Sequence, residues 1–146
     1  MTFSQDLAAI CRFLRQQHVL TLCASSGENV WCANCFYVFD ESGMSLYVMT
    51  QADTRHGALM VQNPRVVGTI AHQTRTVALI KGIQYRARAE CLEGEAMEQA
   101  YALYCHHFPV ARAVKAPLWA LRLDEIKMTD NKLGFGKKRL WLREGS

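Results

Sequence analysis

Arg55 and His56 follow directly on Thr50-Gln-Ala-Asp53-Thr54, whose hydroxyl and carboxylate side chains suit the entrance of a helix that Asn63-Pro64 then ends. A helix entrance presents main-chain amides and a partial positive charge, so an anion such as a phosphate is bound there readily. The helix end contributes about 0.3–1 kcal/mol and a charged hydrogen bond about 1.5–3 kcal/mol, so Arg55 would dominate such a grip. The plainer alternatives are that Arg55 pairs with Asp53 or simply faces water.

Other reactive side chains are less organised. Cys32-x-x-Cys35 has the spacing of a redox or zinc motif, but it lies in a strand-like run where positions three apart point to opposite faces. It also lacks the helix N-terminus that lowers a redox thiol's pKa. Core thiols are therefore expected. Zinc would need Cys105, His106 or His107, and neighbours on a helix splay apart, so no metal site is expected. No Ser, Cys or carboxylate completes a triad with His106 and His107, which suit a helix end, while Glu93, Glu95 and Glu98 suit a helix start. Lys81 and Gln84 flank Gly82 in an otherwise apolar run; Gln84 either bonds the edge of a heterocycle or faces solvent.

The elements that must position these groups follow from periodicity. Leu7, Ile10, Cys11 and Leu14 mark a first helix capped by Thr2 or Ser4 and ending near Gln17. His18–Ala24 reads as a strand before a turn at Ser25-Ser26-Gly27. Val30–Phe39 and Met44–Thr50 form a hairpin about Asp40–Gly43, and Val66–Ala71 is a further strand. Thr76–Leu92 reads as one long strand bent or bulged at Gly82, with Arg86, Arg88 and Glu90 facing water. A helix runs from about Glu95 to His107, Val110–Lys115 makes a helical turn, and the tail returns to strands. Close-spaced strands with few helices describe a mainly β, small antiparallel barrel rather than a parallel α/β fold.

The bulk numbers agree. The 146 residues suit a single domain, 1–146, and half of them are hydrophobic. A net charge of +4 with one short basic cluster, Lys137-Lys138-Arg139, reads as solvated surface and argues against nucleic acid. No apolar run has the length of a membrane span and no signal pattern opens the chain, so a cytoplasmic protein with its six cysteines reduced and buried is expected.

Taken in order, HVLTLCAS, WCANCFYVFDESGMSLYVMT, TRHGALMVQNPRVVGTI and YRARAECLEG resemble the flavin-binding split-barrel superfamily typified by pyridoxamine 5′-phosphate oxidase. FPVAR, LDEIKMTDN and LGFGKKRLW resemble most a small bacterial branch of it, the YhbP-type proteins. The resemblance implies a six-stranded antiparallel split β-barrel of Greek-key topology flanked by short helices. It also implies a homodimer that holds FMN in a groove between subunits. It places Cys32, Ala33, Asn34 and Cys35 on the strand passing the flavin, Met49 and Thr50 at the end of the next strand, and Arg55 and His56 at the phosphate. Gln84 falls near a flavin-contacting glutamine, and Arg139 and Trp141 resemble residues that close the ligand site. His56 stands where many relatives carry lysine. The implied function is a flavin-dependent oxidoreductase acting on a small molecule, with no catalytic residue assigned. The alternative is a binding module without flavin, or one holding another planar ligand such as haem on His18, His72, His106 or His107. A third reading is a structural dimer without a small ligand.

Overall fold

A computed structural model describes residues 3–145, and side chains from Gln5 onward. Helix α1, Phe3–Gln16, puts Ile10, Cys11, Phe13 and Leu14 into the core, as its apolar spacing requires. The proposed cap Thr2 lies outside the described residues, and Ser4 lies within the helix rather than before it. Strand β1 is Val19–Ser26, β2 is Asn29–Asp40 and β3 is Ser45–Met49; helix α2, Arg55–Gln62, follows. Strands β4, Arg65–Ala71, and β5, Lys81–Cys91, lead to helix α3, Gly94–His107, and then to β6, Leu118–Asp130, and β7, Lys138–Leu142.

The strand order is β3-β2-β1-β4-β5-β6-β7, all neighbours antiparallel, and β3 also pairs with β6. Six strands thus close into a barrel, with β7 as an added strand on β6. The β4-β1-β2-β3 arrangement is a Greek key, because β4 returns beside β1 after two hairpins. Barrel closure leaves Leu20, Leu22, Leu46, Ile70, Leu121, Leu123 and Ile126 pointing inward with α1 packed against them. A second cluster, Val38, Ala100, Tyr104, Cys105, Ala111 and Leu118, seats α3 on the barrel wall. Among the described residues no helix is long and apolar enough to cross a membrane.

Three expectations need correction. The β1–β2 turn is centred on Gly27-Glu28 and not on Ser25–Gly27; only Gly27 has a positive φ, 59°, the pattern of a tight II′ hairpin turn. The long strand begins at Lys81, and Val77–Leu79 forms a 3-10 turn. Its apolar side chains are exposed, because β4 ends at Ala71 and offers Thr76–Ile80 nothing to pair with. The bulge is not at Gly82. It falls between Arg86 and Ala87, opposite Asp124, the residue that the β5–β6 register skips.

At that bulge Asp124 is only 3% exposed, covered by arginine side chains. Its carboxylate accepts from Arg88 Nε at 3.2 Å and faces Arg143 Nε at 3.8 Å and Arg86 Nη1 at 3.9 Å. Arg143 in turn donates to the carbonyls of Leu123, Gly43 and Met44, tying the C-terminal segment to the β2–β3 hairpin. Asp124→Asn keeps the volume and removes the charge. We expect a loss of about 2 kcal/mol, since the arginines are partly solvated, which is about 6 °C in Tm by calorimetry.

Candidate functional site

Helix α2 begins as its sequence suggests. Thr54 is the N-cap: its hydroxyl accepts from the Gly57 amide at 3.0 Å and donates to the Gln51 carbonyl at 2.7 Å. The amides of Arg55 and His56 take no partner among the described residues and remain available to an anion. The Arg55 guanidinium lies 3.9 Å from the centre of the Trp31 ring, a cation–π contact that aims it while leaving its N–H groups open. Arg55 makes no ion pair with Asp53, so the first of the plainer alternatives fails.

His56 plays another part. Its Nε2 is 2.7 Å from the hydroxyl of Thr50, a buried residue whose amide donates to the Pro117 carbonyl. Burial pushes the imidazole below its ordinary pKa of 6.5, so at neutral pH it is an uncharged strut between β3 and α2 rather than a second cation. Acid should strain this strut. Below about pH 6.5 the unfolded chain takes up a proton at His56 that the folded chain resists, so the unfolded state binds more protons and stability falls as pH drops. His56→Gln should flatten that part of the Tm-against-pH curve below about pH 6.5.

Strand β2 supplies the next part of the site. It pairs with β1 over Asn29–Phe36, but with β3 only over Tyr37–Asp40, so the other edge of residues 29–36 is open. The Tyr37 amide donates to the His18 carbonyl, which makes 18–37 a hydrogen-bonded pair. By the antiparallel alternation, Val30, Cys32, Asn34 and Phe36 then direct their main-chain groups toward the open edge. Phe36 confirms the parity, for its carbonyl accepts from the Tyr104 hydroxyl at 3.2 Å. The same residues point their side chains outward. Ala33 and Cys35 face the interior, where Cys35 packs on the core. Cys32 and Cys35 do lie on opposite faces, but Cys32 is exposed, as is Cys91, so the expectation of uniformly buried cysteines fails. Asn34 receives a hydrogen bond from the Thr21 hydroxyl on its Oδ1 at 3.0 Å, which fixes the amide and leaves its NH₂ directed to solvent.

A cleft of about 460 Å³ continues from this edge, lined by Phe36, Met49, Thr50, Tyr104, Phe108 and Val110. Phe36 and Tyr104 pack on Phe108 with ring centres 5.4 and 5.2 Å away. Arg55, the open edge and the aromatic cleft therefore adjoin, and together they suit a flat, mainly apolar ligand with an anionic group at one end. Gln84 is not brought there within one chain. It is exposed on the barrel's outer wall in the row Asn34–Thr21–Thr69–Gln84, three strand spacings or about 14 Å from Asn34. Arg139 and Trp141 do not close the site either. Arg139 bonds Asp6 and Asp130, and Trp141 is in the core, so both anchor β7 against α1 and the barrel. Trp31 and Phe36 are the site residues that periodicity alone did not single out; each pairs with β1, across from Ala24 and Val19, on the stretch of β2 that β3 does not reach.

This architecture, a closed six-stranded antiparallel barrel with one added strand and three helices, is that of the split-barrel proteins related to pyridoxamine 5′-phosphate oxidase. A putative pyridoxamine 5′-phosphate oxidase from Listeria innocua matches 87% of this chain and 98% of its own, with TM-score 0.62 and 14% identity. A haem-binding protein from Mycobacterium smegmatis matches 97% of this chain with TM-score 0.77 and 17% identity, although this chain spans only 58% of that one. An FAD-binding protein from Mesorhizobium loti matches 83% of this chain and 91% of its own, with TM-score 0.67 and 14% identity. No protein-family model matches the sequence. The UPF0306 protein YE0465 of Yersinia enterocolitica is 64% identical over 143 residues, 98% of this chain and 97% of that protein, and the chain belongs to the UPF0306 family.

Proposed function

We propose that the protein is a cytoplasmic homodimer that binds FMN and acts as a flavin-dependent oxidoreductase on a small molecule. The observation that carries this reading is the open β2 edge, with Arg55 aimed by Trp31 at one end and an aromatic cleft at the other. In this reading Arg55 and the first amides of α2 hold the phosphate. The main chain around Cys32, Ala33, Asn34 and Cys35 contacts the ring system, and Met49 and Thr50 line the cleft, with His56 holding Thr50 in place. A bound flavin supplies reversible two-electron chemistry; the chain supplies binding, orientation and exclusion of water. The outer wall of β2, β1 and β4 exposes Phe36 at 58%, Val30 at 62%, Val67 at 52% and Val19 at 43%, an apolar face suited to a second copy. A second copy on that face would bring its own Gln84 wall toward the open edge.

Native purification followed by titration with FMN tests the proposal: quenching of flavin fluorescence with one site per chain is expected. A colourless preparation that leaves FMN fluorescence unchanged would reject it. Light scattering on the eluting protein reads the dimer, and a monomer that still binds FMN would remove Gln84 from the site.

One observation favours haem as the second reading. His18 and His107 line a single cleft of about 540 Å³ together with Phe36, Phe39 and Phe108. His107 Nδ1 lies 3.1 Å from the Leu103 carbonyl, so Nδ1–H donates there and Nε2 keeps its lone pair for a metal. A Soret band on adding haem, lost in His107→Ala or His18→Ala, would support this reading; its persistence in both would exclude these ligands.

A further inference from the structure

Cys23 and Cys32 sit directly opposite each other on β1 and β2, with their sulfurs 2.9 Å apart. The hydrogen-bonded pairing of His18 with Tyr37, carried along an unbroken register, makes 23–32 a non-hydrogen-bonded pair. In such pairs the α-carbons are about 4.5 Å apart and the side chains lean together, within the roughly 4.4–6.8 Å window in which a disulfide closes. Both side chains leave the barrel on its outer wall, within the apolar face suited to a second copy, so any thiol exchange there belongs to the undocked chain. Cys32 is exposed and Cys23 half-buried, whereas Cys11 and Cys105 are sealed in the interior. The pair lies beside the open edge of β2 yet has no part in the phosphate grip.

We propose that Cys23 and Cys32 form a redox-active dithiol that is oxidised to an intrachain disulfide by low-molecular-weight disulfides of the glutathione class. The more exposed Cys32 attacks as thiolate on one sulfur of the oxidant and expels the first small thiol, leaving a mixed disulfide on Cys32. Cys23 then gives up its proton and attacks the Cys32 sulfur. The Cys23–Cys32 bond forms, the mixed disulfide breaks, and the second small thiol leaves. The two protein thiols are oxidised, the small disulfide is reduced to two thiols, and a dithiol reductant reverses the sequence. Cys23 suits the second role: its hydrogen bond to Cys32, then burial, raises its pKa to about 11, so it is the poorer first nucleophile and reacts once an electrophilic sulfur stands beside it. The register leaves little to rearrange, because the contact need close only from 2.9 Å to the roughly 2.0 Å of a bond.

Full-length protein carrying Cys91→Ser, which removes the other exposed thiol, is treated with oxidised glutathione and its thiols are then counted under denaturing conditions. The expected result is a loss of two thiols without retained glutathione, one peptide pair linking Cys23 to Cys32, and recovery with dithiothreitol. In the same background Cys23→Ser should instead stop at the mixed disulfide on Cys32. Unchanged thiols, a stable mixed disulfide in the presence of Cys23, or a bond joining two chains would each overturn the proposal.

Discussion

Arg55→Ala is expected to weaken FMN binding by about 10- to 150-fold, the equivalent of one charge-assisted hydrogen bond worth about 1.5–3 kcal/mol. The same change should barely alter folding. Arg55 is exposed, makes no ion pair among the described residues, and stacks its guanidinium on the Trp31 ring. Such a contact at an exposed site is worth about 0.5–1 kcal/mol. A large loss of affinity with a small loss of stability is thus the signature of a residue held for its ligand. His56 cannot compensate, since burial keeps it neutral and Thr50 occupies its Nε2. Fluorescence titration at two salt concentrations, beside calorimetry of the free proteins, separates the quantities. Unchanged FMN affinity would mean that the phosphate is held elsewhere.

Much of this arrangement was legible in the chain because it depends on local pattern. The Thr54 cap, the stop at Asn63-Pro64 and the outward Arg86, Arg88 and Glu90 each follow from residues only a few positions apart. What depended on pairing between distant strands was not. The open edge of β2 exists because β3 reaches only as far as Tyr37, and no property of Asn29–Phe36 declares that. The resemblance groups Gln84 with the flavin residues, but β1 and β4 stand between its strand and β2. The bulge falls not at Gly82 but at Asp124, where three arginines surround and cover the carboxylate. The Cys23–Cys32 contact was within reach. A turn centred on Gly27-Glu28 pairs 23 with 32, and displacing that turn toward Ser25 destroys the match.

Gly68→Ala should produce the largest loss of stability, about 3 kcal/mol or more, from forced overpacking together with a broken buried hydrogen bond. Gly68 faces the barrel interior on β4, and an added Cβ would lie 2.0 Å from the Thr21 carbonyl oxygen and 2.3 Å from the Tyr85 hydroxyl. The Tyr85 ring fills the space that the missing side chain leaves, and its hydroxyl donates to that same carbonyl at 2.9 Å. Burial raises the phenol's pKa well above its ordinary value, so this donor is present at neutral pH. Neither obstacle is the free end of a flexible side chain, so β1 or β4 must shift. Thr21 carries the disturbance onward, because its hydroxyl positions Asn34 at the open edge. Gly68→Ala should therefore lower Tm by about 10 °C and also loosen FMN binding, though the position touches no ligand. Tyr85→Phe, which removes only the hydroxyl, should cost about 1 kcal/mol. Tyr85→Ala combined with Gly68→Ala should cost less than the sum of the two single changes, since Tyr85→Ala removes the ring that the Gly68→Ala methyl collides with. Additive losses in denaturant titrations of the three proteins would show that the Thr21 carbonyl, rather than the ring, sets the limit at Gly68.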